Sequence, residues 1–530
     1  MVEDKFKIGS RVECDGYRGT LKYVGPVGNT KGQWFGIDWD DVTRGKHNGT
    51  YENVEYFKAR HPTSGSFVRP GKVRFGVTCP EAIKLRYGLI DDELVGIDKD
   101  NLDCLQKEIN APFLEMVGFA KVNKKQSRFD QLKIVWLREQ ALSDAGEPGE
   151  LQELCPNIEE IDLSRNLISS WQVVADICCQ LHRLTQLDVS ENQLPIEENM
   201  ETLKEAFSRV KSLTMARMNY TWSDIQHCIV MFPCIKQLSV SFNIVQYLET
   251  PEEHSNMSTL AELTLEGNLL SNWDEILKLG HLPSLEYLNL NSNKINKIHF
   301  PTNNPTEKTN LFPALKQLHI SGNNISEWQS ISELEKLVSL KDLKFRENPI
   351  LKNESIETGR QIIIAKISNL KSLNGTEVSC EERRGAEYDY LKLFGPQWIQ
   401  CESNPEARQE FIKNHPRYPA LVEKYGSPDI PVIKTNSGLV SNVIFVEFVC
   451  PDDPTQSKGI KRKLLKDMEL QKVCGLVQRL FKTGGKIPIL TFVQRNLSPS
   501  EIPLDKPLQK LSYYSLQDGD QIMSNFQRST

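Results

Sequence analysis

The sequence predicts a multidomain α+β chain: a small glycine-rich β-barrel, a long repeat solenoid and a compact sheet-and-helix domain. Three observations predict it. Residues 1–78 consist of short apolar runs separated by glycine turns. From about residue 129 to residue 350 one short phrase recurs nine times. Residues 439–530 read strand, strand, helix, strand, strand.

Composition sets the outer bounds. With 530 residues and 39% hydrophobic content, the chain is long enough for several domains with sizeable cores. No apolar run approaches a membrane span, and the start MVEDKFKIGS has no apolar signal-peptide core, so a cytoplasmic protein without a membrane partner is expected. The 12 cysteines are scattered, with only Cys178 and Cys179 adjacent and no CxxC pair. That pattern fits reduced thiols rather than a disulfide framework or a zinc site. A net charge of −6 argues against a nucleic-acid partner. The charge is uneven, however: residues 1–76 carry 13 Lys/Arg against 9 Asp/Glu, a net of +4 that leaves −10 for the remainder. A small basic module on an acidic body suits an acidic partner.

The basic module contains GSRVECDGYRGTLKYVG, QWFGIDWDD, RGKHNGTYENVEYF and SGSFVRPGKVRF. Apolar alternation between glycine turns builds a small, twisted antiparallel barrel. The segment resembles the CAP-Gly family. The family's GKNDG signature reads here as Gly45, Lys46, His47, Asn48 and Gly49, flanked by Trp34-Phe35-Gly36 and Gly65-Ser66-Phe67-Val68-Arg69-Pro70. The resemblance implies recognition of acidic C-terminal tails that end in an aromatic residue, the EEY/F type carried by α-tubulin. The side chains suit that ligand. Glycines let a loop backbone approach a ligand closely, and exposed N–H groups can cradle a terminal carboxylate. Lys46 brings a cation with three donors. Trp34, Phe35, Trp39 and Phe67 can form a slot for a terminal ring, and Arg69 can pair with a glutamate of the tail. Trp39 and Phe57 fit the barrel core as well as a ligand wall. His47 and Asn48 replace the family's Asn and Asp. His47 still donates a hydrogen bond and would become cationic in mildly acidic conditions, so affinity can shift while the ligand class survives.

Residues 79–128 lose periodicity and are expected to form a linker, with some flexibility, followed by an N-terminal cap on the repeats. The repeats occupy 129–395 together with a C-terminal cap. Each copy runs apolar, two residues, apolar, one residue, apolar, two residues, then usually Asn. Examples are Leu132/Val135/Leu137/Gln140 and Ile158/Ile161/Leu163/Asn166. The last position recurs as Asn192, Met218, Asn243, Asn268, Asn293, Asn323 and Asn348, in steps of 25 or 26 residues with one step of 30. This is a leucine-rich-repeat solenoid: the apolar pair two apart shares one face of a short strand, and only neighbouring repeats can cover it. A stacked ladder of Asn amides can satisfy backbone groups where the chain turns inside the coil. The outward strand positions, such as Glu160, Asp162 and Ser164 or Gln186, Asp188 and Ser190, are polar and suit a protein partner. By the same rule Ile134 and Trp136 are exposed on the first strand. His319 has no catalytic companion in the pattern and is expected at the surface.

Beyond Asn348, Ser379-Cys380-Glu381-Glu382 opens a capping helix through Tyr390 and Leu393, and the charge of EERRGAEYDY is expected to be a solvated face. Residues 396–438, rich in Pro, Asn and charge, read as a connector. In residues 439–530, Val443–Val449 and Gly459–Leu465 pair as a hairpin. Leu470, Val473, Val477 and Leu480 share a helix face, 487–493 is a strand, and Asp518-Gly519 turns into a last strand. The pattern resembles the ubiquitin-like β-grasp fold. The chain ends Gln527-Arg528-Ser529-Thr530 without the terminal Gly-Gly of a conjugated modifier, which implies a docking domain.

A CAP-Gly module, a leucine-rich-repeat solenoid and a ubiquitin-like end, in that order, resemble the tubulin-folding cofactor E family over essentially the whole chain. That resemblance implies a cytoplasmic, cytoskeleton-associated chaperone that binds α-tubulin. With cofactors B, C and D it would assemble and dissociate the α/β-tubulin heterodimer. Two rivals stand beside it: a microtubule or plus-end adaptor that uses the same tail recognition, and an adaptor whose ubiquitin-like end docks on the proteasome or ubiquitin machinery with tubulin as the delivered cargo. No phosphate loop, metal cluster or nucleophile elbow is present in the sequence, so no catalytic residue, metal or cofactor is expected.

Overall fold

In the computed structural model, strands Arg11–Cys14, Tyr17–Gly25, Trp34–Trp39 and Gly65–Val68 pair antiparallel in that order. Alternation turns Val12, Cys14, Leu21, Phe35, Ile37 and Trp39 inward to make a small barrel core. The structure describes residues 7–88, 128–251, 255–302, 304–426, 443–451, 459–481, 488–493 and 501–526. They belong to two units, Met1–Asn293 with Phe312–Ala314, and Lys294–Leu311 with Leu315–Thr530.

Within the first unit the barrel is stitched to the repeats. Val77–Thr78 pairs in parallel with Leu142–Asp144. The helix Cys79–Tyr87 follows at once, opened by a reciprocal Thr78/Glu81 capping box. The Tyr87 hydroxyl accepts the Trp136 N–H at 2.8 Å, and Arg18 lies 3.7 Å from Glu139. Arg60 of the barrel donates to the Gln193 side chain at 3.3 Å. The start of the expected linker is therefore a built joint, because its first residues form a capped helix directly after the strand pair. The rest of it, residues 89–127, lies outside the described residues.

Seven three-residue strands then run in parallel register, from Ile134–Trp136 to Tyr287–Asn289. Their central residues (Val135, Ile161, Leu187, Leu213, Leu238, Leu263 and Leu288) are buried. The Asn positions do what their chemistry allows. Asn166 Oδ1 accepts the backbone N–H groups of Gln140 and Leu142, both at 3.0 Å. Its Nδ2 donates to the carbonyls of Leu137 and Leu163 at 2.8 and 2.9 Å. The amide of Asn243 repeats the pattern three turns on. The residue before each ladder position, Met218 included, takes a left-handed turn, as at Arg165 (φ 54°), Glu191 (58°), Arg217 (55°) and Phe242 (57°). For non-glycine residues that conformation costs roughly 1–2 kcal/mol each, which the buried amide network offsets. Met218 breaks the ladder: it is buried at the Asn position but brings no amide. On the opposite side of the coil Trp171, Trp222 and Trp273 each begin a helix and are buried.

Ile134 and Trp136 are exposed, at 50% and 55%. Other expected outward positions are not. Ser164, Ser190, Ser241 and Asn289 are buried. The serines sit at the edge of the strand, where side chains of adjacent repeats and the turn cover them. Ser164 Oγ accepts from Arg138 at 2.9 Å, and Ser190 Oγ accepts the Ala216 N–H at 3.0 Å.

In the second unit Gln317–His319, Asp342–Lys344 and Ser372–Leu373 continue the parallel pattern. His319 is buried rather than at the surface, and burial, helped by the Lys344 charge, pulls its pKa down to about 4. The helix Cys380–Gln400 starts at Ser379, whose side chain accepts the Glu382 N–H at 3.1 Å. Glu381 apart, its acidic residues and Arg383 are not a solvated face. Glu382 pairs with Arg360 at 2.6 Å, and Arg383 donates to the carbonyls of Ile364 and Ile367. Glu387 is buried, held by Arg417 (2.7 Å), Lys424 (3.0 Å) and the Tyr425 hydroxyl (2.8 Å). Those partners sit on Arg417 and the helix Tyr418–Tyr425. With the helix Pro405–Asn414 this packs Phe411, Tyr418 and Leu421 against Tyr390, Leu391 and Trp398. Much of the stretch read as a connector thus belongs to the cap's core.

The last domain is a five-stranded sheet in the order Ile460–Leu465, Val443–Val449, Gln521–Phe526, Pro488–Val493, Ile502–Leu504. Its two central strands are parallel, and the helix Leu470–Leu480 packs Leu470, Val473 and Val477 on one face of the sheet. The sequence pattern did not single out the edge strand Ile502–Leu504. The final Gln527–Thr530 lies outside the described residues.

Candidate functional site

The signature loop crosses the barrel beside strand Gly65–Val68. Its N–H groups at Lys46 and His47 both donate to the Gly65 carbonyl, at 2.8 and 3.3 Å, and the Gly65 N–H returns to the His47 carbonyl at 2.7 Å. The glycines make this packing possible. A Cβ on Gly45 would stand 2.4 Å from the Thr63 carbonyl oxygen, and one on Gly49 (φ 104°) 1.8 Å from the Phe57 carbonyl oxygen. Two loops therefore lie backbone on backbone, which fixes the side chains between them.

Lys46 is exposed, and its ammonium makes no ion pair or hydrogen bond among the described residues. His47 turns inward. Its ring stacks on Phe67 with centroids 4.9 Å apart, and Nδ1 accepts the Gly49 N–H at 3.0 Å. Partial burial lowers its pKa, which favours the neutral ring over the cation. Asn48 is exposed and accepts from the Thr50 hydroxyl at 2.7 Å.

Phe67 is the hub of an aromatic cluster. Tyr23, Tyr51, Tyr56 and Phe57 meet it edge-on, with centroids 6.3, 6.5, 5.5 and 5.6 Å away. Phe67, Tyr23 and Tyr56 are half-buried and Tyr51 is exposed, so the cluster reaches the surface. The Tyr56 hydroxyl accepts the Gly28 N–H at 2.9 Å and the Tyr23 hydroxyl donates to the Pro26 carbonyl at 2.7 Å. These bonds pin the loop on the far side of the slot.

The other candidates divide. Phe35 and Trp39 are fully buried in the barrel core and are not ligand wall. Alternation along Trp34–Trp39 sends Phe35, Ile37 and Trp39 to one face and Trp34 to the other. Trp34 is half-buried, donates to the Thr30 hydroxyl at 2.7 Å and carries the Arg69 guanidinium 3.7 Å over its ring. Arg69 also donates to the carbonyls of Lys31 (2.8 Å) and Gln33 (3.2 Å), so it braces that loop.

Brought together, then, are Lys46, His47, Asn48 and Phe67, with Trp34 and Arg69 on the neighbouring loop. Tyr23, Tyr51 and Tyr56 were missed by sequence reasoning, although YENVEY follows the signature loop directly. The arrangement is a cluster of aromatic rings that reaches the surface, with an exposed lysine next in sequence to the His47 ring stacked on it. It suits a ligand that joins an aromatic ring to a carboxylate. Elsewhere among the described residues no group of three or more His, Cys, Asp or Glu side chains is placed to hold a metal, and no helix is long and apolar enough to cross a membrane.

Comparison with known proteins gives three kinds of match. Residues 8–73 match the family model of the CAP-Gly domain. The chain is 40% identical over 524 residues to "Tubulin-specific chaperone E" of Danio rerio, covering 97% of this chain and 98% of that protein. It is 39% identical over 521 residues to the protein of the same name from Homo sapiens, covering 97% of each. The solution structure of the C-terminal ubiquitin-like domain of mouse tubulin-specific chaperone E aligns with 18% of this chain and 98% of its own length, at 26% identity and a TM-score of 0.16.

Proposed function

This chain belongs to the tubulin-specific chaperone E family, and on that premise we propose that it is a tubulin chaperone whose barrel holds the acidic, aromatic-ended C-terminal tail of α-tubulin. The observation that carries the reading is the surface-reaching cluster of Phe67, His47 and the three tyrosines, with the exposed Lys46 next to His47 in the signature loop. The tail's terminal ring enters the slot edge-on to Phe67, and its carboxylates meet Lys46. His47, neutral and already committed through Nδ1, acts as wall rather than as a second cation.

The barrel is joined to the first repeats by a strand pair, a capped helix and the Arg18–Glu139 contact. A tail held in the slot would keep the tubulin body at high effective concentration near the repeat surface, so two modest contacts reinforce each other. In this reading the protein works with cofactors B, C and D to assemble and dissociate the α/β heterodimer.

The test is to mix soluble tubulin dimer with the full chain or with Lys46→Ala, with and without the partner cofactors, and to score binding and dimer dissociation. Dissociation that falls with Lys46→Ala, and equally on removal of the last tail residues, supports the proposal. Unchanged affinity for tail-less tubulin refutes the tail contact. Binding without dissociation under every condition would make the chain a microtubule adaptor.

A further inference from the structure

We propose that the cleft between the C-terminal cap of the repeats and the β-grasp domain is a second docking site, for a basic peptide segment of a protein partner. The cleft has a volume of about 880 Å³, within the usual size range of ligand sites and at a junction between domains, where such sites concentrate. One wall comes from the start of the helix Ile356–Lys366 and from the helix Cys380–Gln400, the other from residues 503–515 of the β-grasp domain.

The charge balance selects the partner. The cleft's cations are already used. Arg360 forms a two-point pair with Glu382 and donates to the Leu373 carbonyl at 2.9 Å. Arg346 donates to the Asn374 carbonyl at 2.9 Å, and Lys506 to the Tyr513 hydroxyl at 2.7 Å. Glu382 aside, its anions are not: among the described residues Glu347, Glu354, Glu357, Glu377, Glu381 and Asp505 form no ion pair. What the cleft offers a visitor is therefore several uncompensated carboxylates.

It also offers apolar surface. Ile356, the first residue of its helix, is 88% exposed at the cleft's edge, between Glu354 and Glu357. Leu351 and Tyr513 are half-buried in the lining. A bare isoleucine set among unpaired carboxylates matches a segment in which Lys or Arg alternates with an apolar residue. A simple cation would leave Ile356 in water. This site is independent of the tail reading, because the ligand has the opposite charge and the residues belong to the other end of the chain.

The experiment uses the full chain and a short fluorescein-labelled peptide of alternating lysine and leucine, read by anisotropy, with hydrogen exchange to locate it. The expected result is saturable binding that protects both 354–360 and 503–509. Affinity should fall about tenfold or more in the Glu354→Lys/Glu357→Lys double variant, and several-fold in Ile356→Ser. Lys46→Ala should bind the peptide as the parent does, which separates failure here from failure of the tail contact. Equal binding by parent and double variant, protection away from the cleft, or displacement by spermidine as effectively as by unlabelled peptide would each overturn the proposal. The substitutions are at exposed or half-buried positions on one helix start, and an unchanged circular dichroism spectrum checks that they fold.

Discussion

The His47 ring lies on the Phe67 ring at 4.9 Å and 29°, while its Nδ1 accepts the Gly49 N–H. An imidazole held this way has one nitrogen acting as acceptor, which requires the neutral form. Protonation would set N–H against N–H and charge a partly buried ring.

Tail binding should therefore be flat as pH falls from about 7.5 to about 6.5, the ordinary imidazole range, and weaken only below it. The sign follows from the lowered pKa: the folded form binds its proton later than the unfolded chain does. The contribution is full above the unfolded value and is lost as pH falls toward the folded one. Anisotropy of a labelled α-tubulin tail peptide against pH is the measurement. A midpoint at or above 6.5 that disappears in His47→Gln would show that the ring titrates freely.

Arg69 makes a second prediction. Its guanidinium stacks on Trp34 and bonds two carbonyls, so it holds the loop 31–33 in place. Arg69→Lys should be nearly as harmful as Arg69→Ala, because a lysine offers neither a planar face nor a fork. Both should speed hydrogen exchange around Lys31–Trp34 and weaken tail binding about two- to threefold, with an unchanged dependence on salt. If Lys rescued binding and Ala flattened the salt dependence, Arg69 would instead be pairing with the tail.

Periodic features were legible in the sequence, and so were covalent preferences of single residues. The Asn ladder and its buried strand centres follow from a spacing and an amide's two-way hydrogen bonding, and both are seen at Asn166 and Asn243. The core position of Phe35 and Trp39 was also legible, since strand alternation separates them from Trp34, but a list of aromatics near a motif obscured it. The slot itself was not. Tyr23, Tyr51 and Tyr56 come from different strands and loops, and only the fold brings them to Phe67. The same holds for Glu387, whose charge looked solvated because Arg417 and Lys424 lie 30 and 37 residues away.

The ladder gives a third prediction. Asn243→Ala removes an acceptor for the N–H groups of Met218 and Tyr220, at 2.9 and 3.1 Å, and a donor for the Met215 and Val240 carbonyls, at 2.8 and 3.0 Å. Each buried group left unmade costs about 1–3 kcal/mol, so a loss of about 3 kcal/mol or more is expected. Asn243→Asp should be no better, since a buried carboxylate can accept but cannot donate. The site adjoins Met218, where the ladder is already interrupted, so two consecutive turns would lack an amide. Urea unfolding of the full chain should show an early transition in these variants. A shift no larger than that of an exposed substitution such as Lys236→Ala would mean the ladder is decorative.

Lys366 gives the last prediction, and its sign runs against intuition for a buried cation. The ammonium is buried, donating to Ser332 Oγ at 2.7 Å and to the Asn414 carbonyl at 3.0 Å, with His415 nearby. Burial draws its pKa down to about 7, and the Lys366 charge in turn helps burial hold His415 at about 3. The unfolded lysine titrates near 10.4, so between about pH 7 and that value the unfolded chain holds the extra proton. Stability of the cap should therefore rise with pH across this window, by up to about 1.4 kcal/mol per pH unit, and be lowest below pH 7, where the charge is buried outright. Lys366→Met removes the titrating group and should have a flatter profile, whatever it loses at the Asn414 carbonyl. The readout is the difference in urea midpoint between parent and variant from about pH 6.5 to 9. If the two run in parallel, the ammonium is solvated or paired in solution, and the close packing of Asn414 and His415 against the cap does not hold there.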